Sequence, residues 1–153
     1  MRRLACLAAL AVAAACSPEQ PVGEPADAPT AAPPALALGG VNLEGPVHVL
    51  GNEPFWAVQI DPQGLTYSGV DRPEQRAPNP GPTLQGTMAI WSARTDQGQD
   101  LTVMVMPTPC SDGMSDREYP LTARVEIAGE VLNGCAASRD FIHNTDERGE
   151  PRA

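Results

Sequence analysis

The segment that decides the fold is LTARVEIAGEVLNGC, residues 121–135. In its first half every second residue from Leu121 to Ile127 is apolar, and polar residues lie between them. Alternation with a period of two is typical of a β-strand that has one buried face. The Ala128-Gly129 pair that follows suits a two-residue turn, in which glycine supplies a positive φ. The segment therefore predicts a β-hairpin.

The rest of the chain repeats the pattern in short stretches. Leu101 to Met106 is apolar on both faces except at Thr102, which predicts a central strand. Residues 71–82 contain four prolines and favour a long irregular loop, and residues 138–143 favour a helical turn. We expect an all-β fold, a small antiparallel barrel or sandwich of about seven short strands. The predicted strands are 47–50, 56–60, 65–70, 83–92, 101–106, 121–127 and 130–135.

The N-terminus has the pattern of a secretory signal. Arg2 and Arg3 precede an apolar run, Leu4 to Ala15, that is too short to span a bilayer. A charged start, a short apolar stretch and small residues before the cleavage point define such signals. Cys16 directly after the run resembles the lipidated cysteine in the lipobox of bacterial lipoproteins. The alternative is a plain secreted protein that is cleaved near the same position.

The lipobox resemblance implies a domain organisation. Residues 1–15 would be removed as the signal peptide, and residues 16–44 would hold the lipidated cysteine and a disordered tether rich in proline and alanine. We expect the β domain over residues 45–142 and a disordered polar tail over residues 143–153.

The residue after the anchor bears on localisation. Ser17 is not the acidic residue that retains lipoproteins at the inner membrane in many Gram-negative bacteria. The resemblance therefore implies outer-membrane attachment through the lipid, with the domain facing the periplasm. A soluble periplasmic protein is the alternative.

The charge of the chain restricts its partners. The formal net charge is −9, and loss of Arg2 and Arg3 leaves eight arginines against 19 acidic residues, a charge near −11. Binding to nucleic acid depends on a basic face that displaces counterions. We therefore expect no nucleic-acid partner.

Two cysteines, Cys110 and Cys135, belong to the predicted domain. In an oxidising compartment an even pair in a small domain predicts a disulfide. A metal pair or a redox pair is the alternative, but neither cysteine has CxxC spacing. His48 and His143 are too isolated in the sequence to complete a zinc site. We expect no metal and no cofactor.

Two motifs stand out from the strands. The first is GNEPFW, residues 51–56, and the second is CSDGMSDREYP, residues 110–120, completed by LNGCA, residues 132–136. Together they resemble an uncharacterised family of Gram-negative envelope lipoproteins with G-x-EPFW and C-x-DGMSDRxYP…L-x-GCA elements. In some related chains such a domain is joined to a META-type β domain. The resemblance implies class and location and brings no established activity.

The motif residues allow a structural and a functional interpretation. Phe55 and Trp56 should point to opposite faces of a strand, and Asp112-Gly113 favours a turn in which Asp116 bonds nearby backbone. If the charged residues converge at one end of a barrel, they would instead line a ligand mouth. Arg117 would then stack on Trp56 as a cation–π plug, as in lipocalins. The candidate ligand-binding residues are Glu53, Phe55, Trp56, Asp112, Asp116, Arg117 and Tyr119.

These patterns favour binding over catalysis. Ser111 and Ser115 have no histidine base nearby in the sequence, so we expect no enzyme and no catalytic residues. The first hypothesis is a binding domain for a small apolar ligand, with an enclosed cavity lined by residues such as Trp56, Val58, Met104 and Met106. The alternative is a protein-protein interaction or structural module of the envelope, with a filled core and an exposed apolar patch.

Overall fold

The computed structural model describes residues 36–152. The predicted signal peptide, the lipidation site Cys16 and most of the predicted tether lie outside this range. The elements are β1 (Ala37–Leu38), β2 (Val41–Asn42), β3 (Val47–Asn52), β4 (Phe55–Asp61), β5 (Gly64–Gly69), β6 (Gln75–Ala77), β7 (Thr83–Gln85), β8 (Met88–Arg94), β9 (Asp100–Met106), β10 (Cys110–Ser111), β11 (Glu118–Tyr119), β12 (Leu121–Ile127), β13 (Glu130–Ser138) and α1 (Arg139–Asn144).

Nine of these strands form one antiparallel sheet that curls into a half-barrel. Its order is β6-β5-β4-β3-β13-β12-β9-β8-β7, so the all-β prediction is confirmed. The seven predicted strands correspond to the strands of six residues or more, β3, β4, β5, β8, β9, β12 and β13. The predicted strand 83–92 is divided by a turn at Gly86 into β7 and β8.

The β12–β13 hairpin, which the alternation of residues 121–127 and the following turn predict, lies in the middle of the sheet. Its register runs from Leu121 opposite Ala136 to Ile127 opposite Glu130. Both turn residues are left-handed, because Ala128 as well as Gly129 has a positive φ, 53° and 81°. This is the combination that a two-residue turn between twisted strands requires.

The main core fills the concave face of the sheet. Val58, Trp91, Val103 and Val125 are fully buried there, and each alternates with a more exposed neighbour on its strand. Because these side chains are closely packed, they exclude water from the concave face of the sheet.

The edge strand β6 contacts the β8–β9 turn across the curled sheet. The amide of Asp96 donates to the carbonyl of Arg76 at 2.7 Å, and the amide of Arg76 donates to Oδ1 of Asp96 at 3.1 Å. β6 lies inside the segment for which the prolines predict an irregular loop. Prolines at 73 and 78 restrict it to three residues at the sheet edge, where a strand can lack one set of partners.

The N-terminal boundary of the domain differs from the predicted one. Residues 36–44, expected in the tether, form the β1–β2 hairpin, whose Val41 and Leu43 side chains are buried in the main core. The amide of Leu43 donates to the carbonyl of Leu36 at 2.7 Å. The closely spaced prolines of the tether end at Pro34, and apolar residues then recur at short intervals. This change of composition is the signal that places the segment in the domain.

A second, smaller core lies on the convex face. It contains Tyr119, Cys135 and Ala137, with Phe141 of α1 packed against them. The predicted helical turn is present as α1, and the hydroxyl of Ser138 caps it by accepting the amide of Phe141 at 3.1 Å. Within residues 36–152 no helix is long and apolar enough to cross a membrane.

The C-terminal segment also differs from the expected disordered tail. An isolated β-bridge joins Thr145 to Pro151. Oδ1 of Asp146 accepts the amides of Arg148 at 2.9 Å and Glu150 at 3.0 Å. Residues 145–152 therefore form a closed turn that packs on the convex side, because Asp146 satisfies backbone donors that a frayed tail would leave to water.

Candidate functional site

The site that unites the two motifs is an open groove of about 440 Å³, which we call the hairpin groove. One wall is the β3–β4 hairpin, with Asn52, Glu53 and Phe55. The other is formed by residues 111–114 and by Asn133 and Gly134 of β13. Of the predicted ligand-binding residues, Glu53, Phe55 and Asp112 line this groove together.

The first motif builds the hairpin wall by separating its two aromatic residues. Phe55 is 53% exposed and Trp56 is 4% exposed, so the prediction that they point to opposite faces is confirmed. Trp56 lies in the main core, and a Cβ at Gly51 would overlap its indole ring. The glycine of GNEPFW therefore makes room for the tryptophan of the same motif.

The second motif builds the opposite wall and is fixed to the sheet by a covalent bond. The predicted disulfide joins Cys110 to Cys135, with Cα atoms 5.5 Å apart. β10 and β11 pair Cys110 with Tyr119 and close residues 111–118 into a loop. Nδ2 of Asn52 donates to the carbonyl of Asp112 at 2.7 Å and joins the two walls.

Asp112 organises this loop. Its Oδ1 accepts the amides of Met114 at 3.0 Å and Ser115 at 2.8 Å, and its Oδ2 accepts the hydroxyl of Tyr119 at 3.0 Å. Partial burial acts to raise the pKa of Asp112, but the donors from Ser115, Met114 and Tyr119 outweigh it, and the pKa lies below its usual value. Asp112 is therefore a charged structural centre of the loop, the role that we predicted for Asp116.

Asp116 does not reach the hairpin groove. Its side chain is exposed and lines a separate groove of about 690 Å³ together with Asp146, Arg148 and Arg152. The charged motif residues therefore do not converge in one mouth, because Glu53 and Asp112 line the hairpin groove and Asp116 lines the other.

The predicted cation–π contact between Arg117 and Trp56 does not form. The guanidinium carbon of Arg117 lies 5.7 Å from the ring centroid of Tyr119, not over Trp56. Nη2 donates to the carbonyls of Thr145 at 3.0 Å and Asp146 at 2.7 Å. With 8% exposure, Arg117 holds the C-terminal turn against the loop and does not contact the groove.

Tyr119 lies beneath the loop and connects Arg117 to Asp112. Nη1 of Arg117 donates to the Tyr119 hydroxyl at 3.4 Å, and that hydroxyl donates to Asp112. Burial raises the pKa of Tyr119, and Arg117 opposes the shift without cancelling it. We call Asp112, Arg117 and Tyr119 the outer cluster.

A matching group, which the sequence reasoning missed, lies on the other side of the sheet. The hydroxyl of Tyr67 donates to Oδ1 of Asp71 at 3.0 Å, and the guanidinium carbon of Arg72 lies 5.5 Å from the Tyr67 ring centroid. Arg72 also pairs with Asp71 and with Glu130, and so joins the 70–74 loop to the β12–β13 hairpin. We call Tyr67, Asp71, Arg72 and Glu130 the inner cluster.

The four residues that were predicted to line an enclosed cavity, Trp56, Val58, Met104 and Met106, do not line one. Trp56 and Val58 belong to the filled core. Met104 and Met106 alternate with the buried Val103 and Val105 on β9 and are therefore on its other face.

The histidines do not create a metal site. Within residues 36–152 no group of three or more His, Cys, Asp or Glu side chains is arranged to hold a metal ion. Burial, followed by the charges of Arg139 and His143, lowers the pKa of His48, so its neutral form is favoured.

Comparison with protein-family models, with curated proteins and with solved structures finds no significant match to this chain.

Proposed function

We propose that this protein is an envelope lipoprotein, anchored in the outer membrane through Cys16, whose β domain is a protein-interaction module in the periplasm. The signal pattern and the motif resemblance support the anchor and the compartment. The architecture of residues 36–152 favours the interaction module over the carrier of a small apolar ligand.

One observation carries this choice: of the five large apolar side chains that are exposed among residues 36–152, Phe55, Val70 and Met114 lie around the β3–β4 hairpin. Phe55 and Met114, which is 69% exposed, both line the hairpin groove. Val70 is 75% exposed, and its amide donates to the carbonyl of Phe55 at 3.1 Å. Exposed apolar groups that cluster on a soluble domain mark an interaction surface.

The surface is held in a fixed shape before any partner arrives. The disulfide, the Asn52–Asp112 bond and the hydrogen bonds to Asp112 all fix the walls of the groove. A pre-organised surface loses little conformational freedom on binding, which favours affinity. A carrier would instead need an interior volume, and the concave face is occupied by its own side chains.

Site-specific photocrosslinking in cells tests the interaction module. A photoreactive residue at position 55 should form a discrete crosslink to an envelope protein. The matched control is position 84, because Leu84 is also exposed, at 48%, but lies on the edge strand β7. Equal crosslinking at both positions, or none at 55, would refute the module. Native mass spectrometry that shows a retained small molecule on the purified domain would support the carrier instead.

A matched pair of cysteine variants tests the lipid anchor separately. Cys16→Ala should abolish incorporation of labelled fatty acid and release the protein into the soluble fraction. Cys6→Ala lies inside the predicted signal and should leave both unchanged. Membrane fractionation that survives Cys16→Ala would contradict the lipid anchor.

A further inference from the structure

The central strand β13 has an open edge along half its length. It pairs with β12 from Glu130 to Ala136 but with β3 only from Cys135 to Ser138. Residues 130–134 therefore have one neighbouring strand. The hairpin groove reaches the last two of them, Asn133 and Gly134, whereas Glu130 and Val131 line a separate groove nearer the β12–β13 turn.

The hydrogen-bond pattern between β12 and β13 directs backbone groups of β13 toward its open edge. In an antiparallel pair, alternate residues turn their N–H and C=O groups toward each neighbour. The two-residue turn makes Ile127 and Glu130 the hydrogen-bonded pair that closes the hairpin. Val131 and Asn133 consequently direct theirs away from β12, and both side chains are exposed. An unpaired strand edge of this kind is a template for an added strand.

A close contact sets where the edge opens. A Cβ at Gly134 would overlap the carbonyl oxygen of Leu50, so β3 and β13 touch at this point. Beyond it β3 continues to Asn52 as a partner of β4 alone. The groove thus begins where two adjacent strands part.

The charges that line the hairpin groove favour a cationic partner. Its only charged side chains are those of Glu53 and Asp112, and both are acidic. Asp112 is already engaged by donors within its loop. Glu53 is exposed and forms no ion pair among residues 36–152, so it is free to meet a cation. Phe55 and Met114 on the same lining offer an apolar contact beside it.

We infer that the hairpin groove binds an extended segment of a partner protein that adds to the free edge of β13 and places an arginine or lysine against Glu53. The apolar residue next to that cation packs on Phe55 and Met114. The inference rests on the proposed interaction module and specifies the chemistry of its partner.

Peptide binding to residues 17–153, labelled with ¹⁵N and lacking the lipidation site Cys16, tests the inference. The probe is the acetylated and amidated peptide Thr-Val-Arg-Val-Thr. One control has glutamate in place of arginine, and a second is N-methylated on alternate amides, which keeps the side chains but blocks strand pairing. The arginine peptide should shift the amide signals of Val131 and Asn133 and protect them from hydrogen exchange. Each control peptide should bind about tenfold more weakly.

Variants of the protein separate the charge from the fold. Glu53→Gln should weaken binding of the arginine peptide about fivefold, the effect of one exposed ion pair. It should not change the melting temperature, because Glu53 makes no ion pair in the domain. Glu44→Gln is the matched control, an exposed acid outside the groove, and should leave affinity unchanged.

Several outcomes would overturn the inference. They are equal binding of the N-methylated peptide, equal binding of the glutamate peptide, no binding at millimolar concentration, and a homodimer that occupies the β13 edge. A partner crosslinked at position 55 together with any of these results would leave the interaction module standing and refute strand addition.

Discussion

The only two tyrosines of the chain occupy nearly the same chemical setting on opposite faces of one sheet. Tyr67 and Tyr119 each donate to an aspartate at 3.0 Å. Each also has an arginine over its ring, at 5.5 Å and 5.7 Å. The difference lies in what the arginine binds. Arg72 pairs with the carboxylates of the inner cluster and makes one long bond to the carbonyl of Ile127, at 3.4 Å. Arg117 of the outer cluster forms no ion pair among residues 36–152 and donates to the backbone carbonyls of the C-terminal turn.

The same three types of side chain, tyrosine, aspartate and arginine, therefore hold chain segments together in two different ways. The inner cluster joins two surface segments through ion pairs, which salt weakens. The outer cluster replaces the water around a buried cation with fixed carbonyl dipoles, which salt does not screen. Removal of Arg117 therefore leaves buried acceptors unpaired, and removal of Arg72 leaves carboxylates that water can reach.

The largest expected effect comes from the disulfide that supports only the outer side. Cys110→Ala with Cys135→Ala should lower the free energy of unfolding by roughly 3.5 kcal/mol, because the unfolded chain regains the freedom of a loop that spans 25 positions. Denaturant unfolding measures the total. Hydrogen exchange should accelerate more in residues 110–119 and 145–152 than in residues 65–72. Equal acceleration in both regions would show that the two clusters form one cooperative unit.

Arg117→Met should have the next largest effect, about 2.5 kcal/mol of unfolding free energy, because the carbonyls of Thr145 and Asp146 lose a charged donor. The loss should be the same at low and high salt when thermal unfolding is followed in both. A loss that vanishes in high salt would mean that Arg117 acts through long-range charge.

Arg72→Met should cost less, about 1 kcal/mol, since its partner Glu130 is largely exposed. The cost should shrink as sodium chloride is raised from low to molar concentration. If the Arg72 and Arg117 variants respond to salt alike, the contrast between the clusters is refuted.

The smallest expected effect on the free energy of unfolding at neutral pH comes from the ionisation of the tyrosines. Burial, followed by the hydrogen bond to Asp71, raises the pKa of Tyr67 to about 12. A raised pKa favours the neutral phenol, so the stability that it contributes is complete below the unfolded value of about 10 and is lost as the pH rises toward 12. Absorbance titration of Tyr119→Phe isolates Tyr67, and Tyr67→Phe isolates Tyr119. A Tyr67 titration near 10 would contradict its burial against Asp71.

The strands could be predicted from the sequence because alternation is a local property. Leu121 to Ile127 indicates its buried face by its spacing alone, and the structure buries that face. The prolines of residues 71–82 correctly excluded a central strand, but the irregular loop predicted there is wrong for residues 75–77, which form the edge strand β6.

The site could be predicted only in part, because its contacts join residues far apart in the chain. The motif residues Phe55 and Asp112 were identified from the GNEPFW and CSDGMSDREYP motifs, and the cysteine pair from the oxidising compartment that the signal pattern predicts. Nothing local to Arg117 shows that its partners are carbonyls of Thr145 and Asp146. Asn52 and Arg72 were missed for the same reason: one crosses to Asp112 and the other to Glu130.

The pairing of β3 with β13 has a consequence for the order of folding. The first long strand of the domain needs the last one as its neighbour, and the β1–β2 hairpin packs into a core that later strands complete. A chain that emerges N-terminus first cannot close its sheet until residues near 138 are released. Contacts that span most of a chain form late, so the sheet stays open until almost the whole polypeptide has emerged.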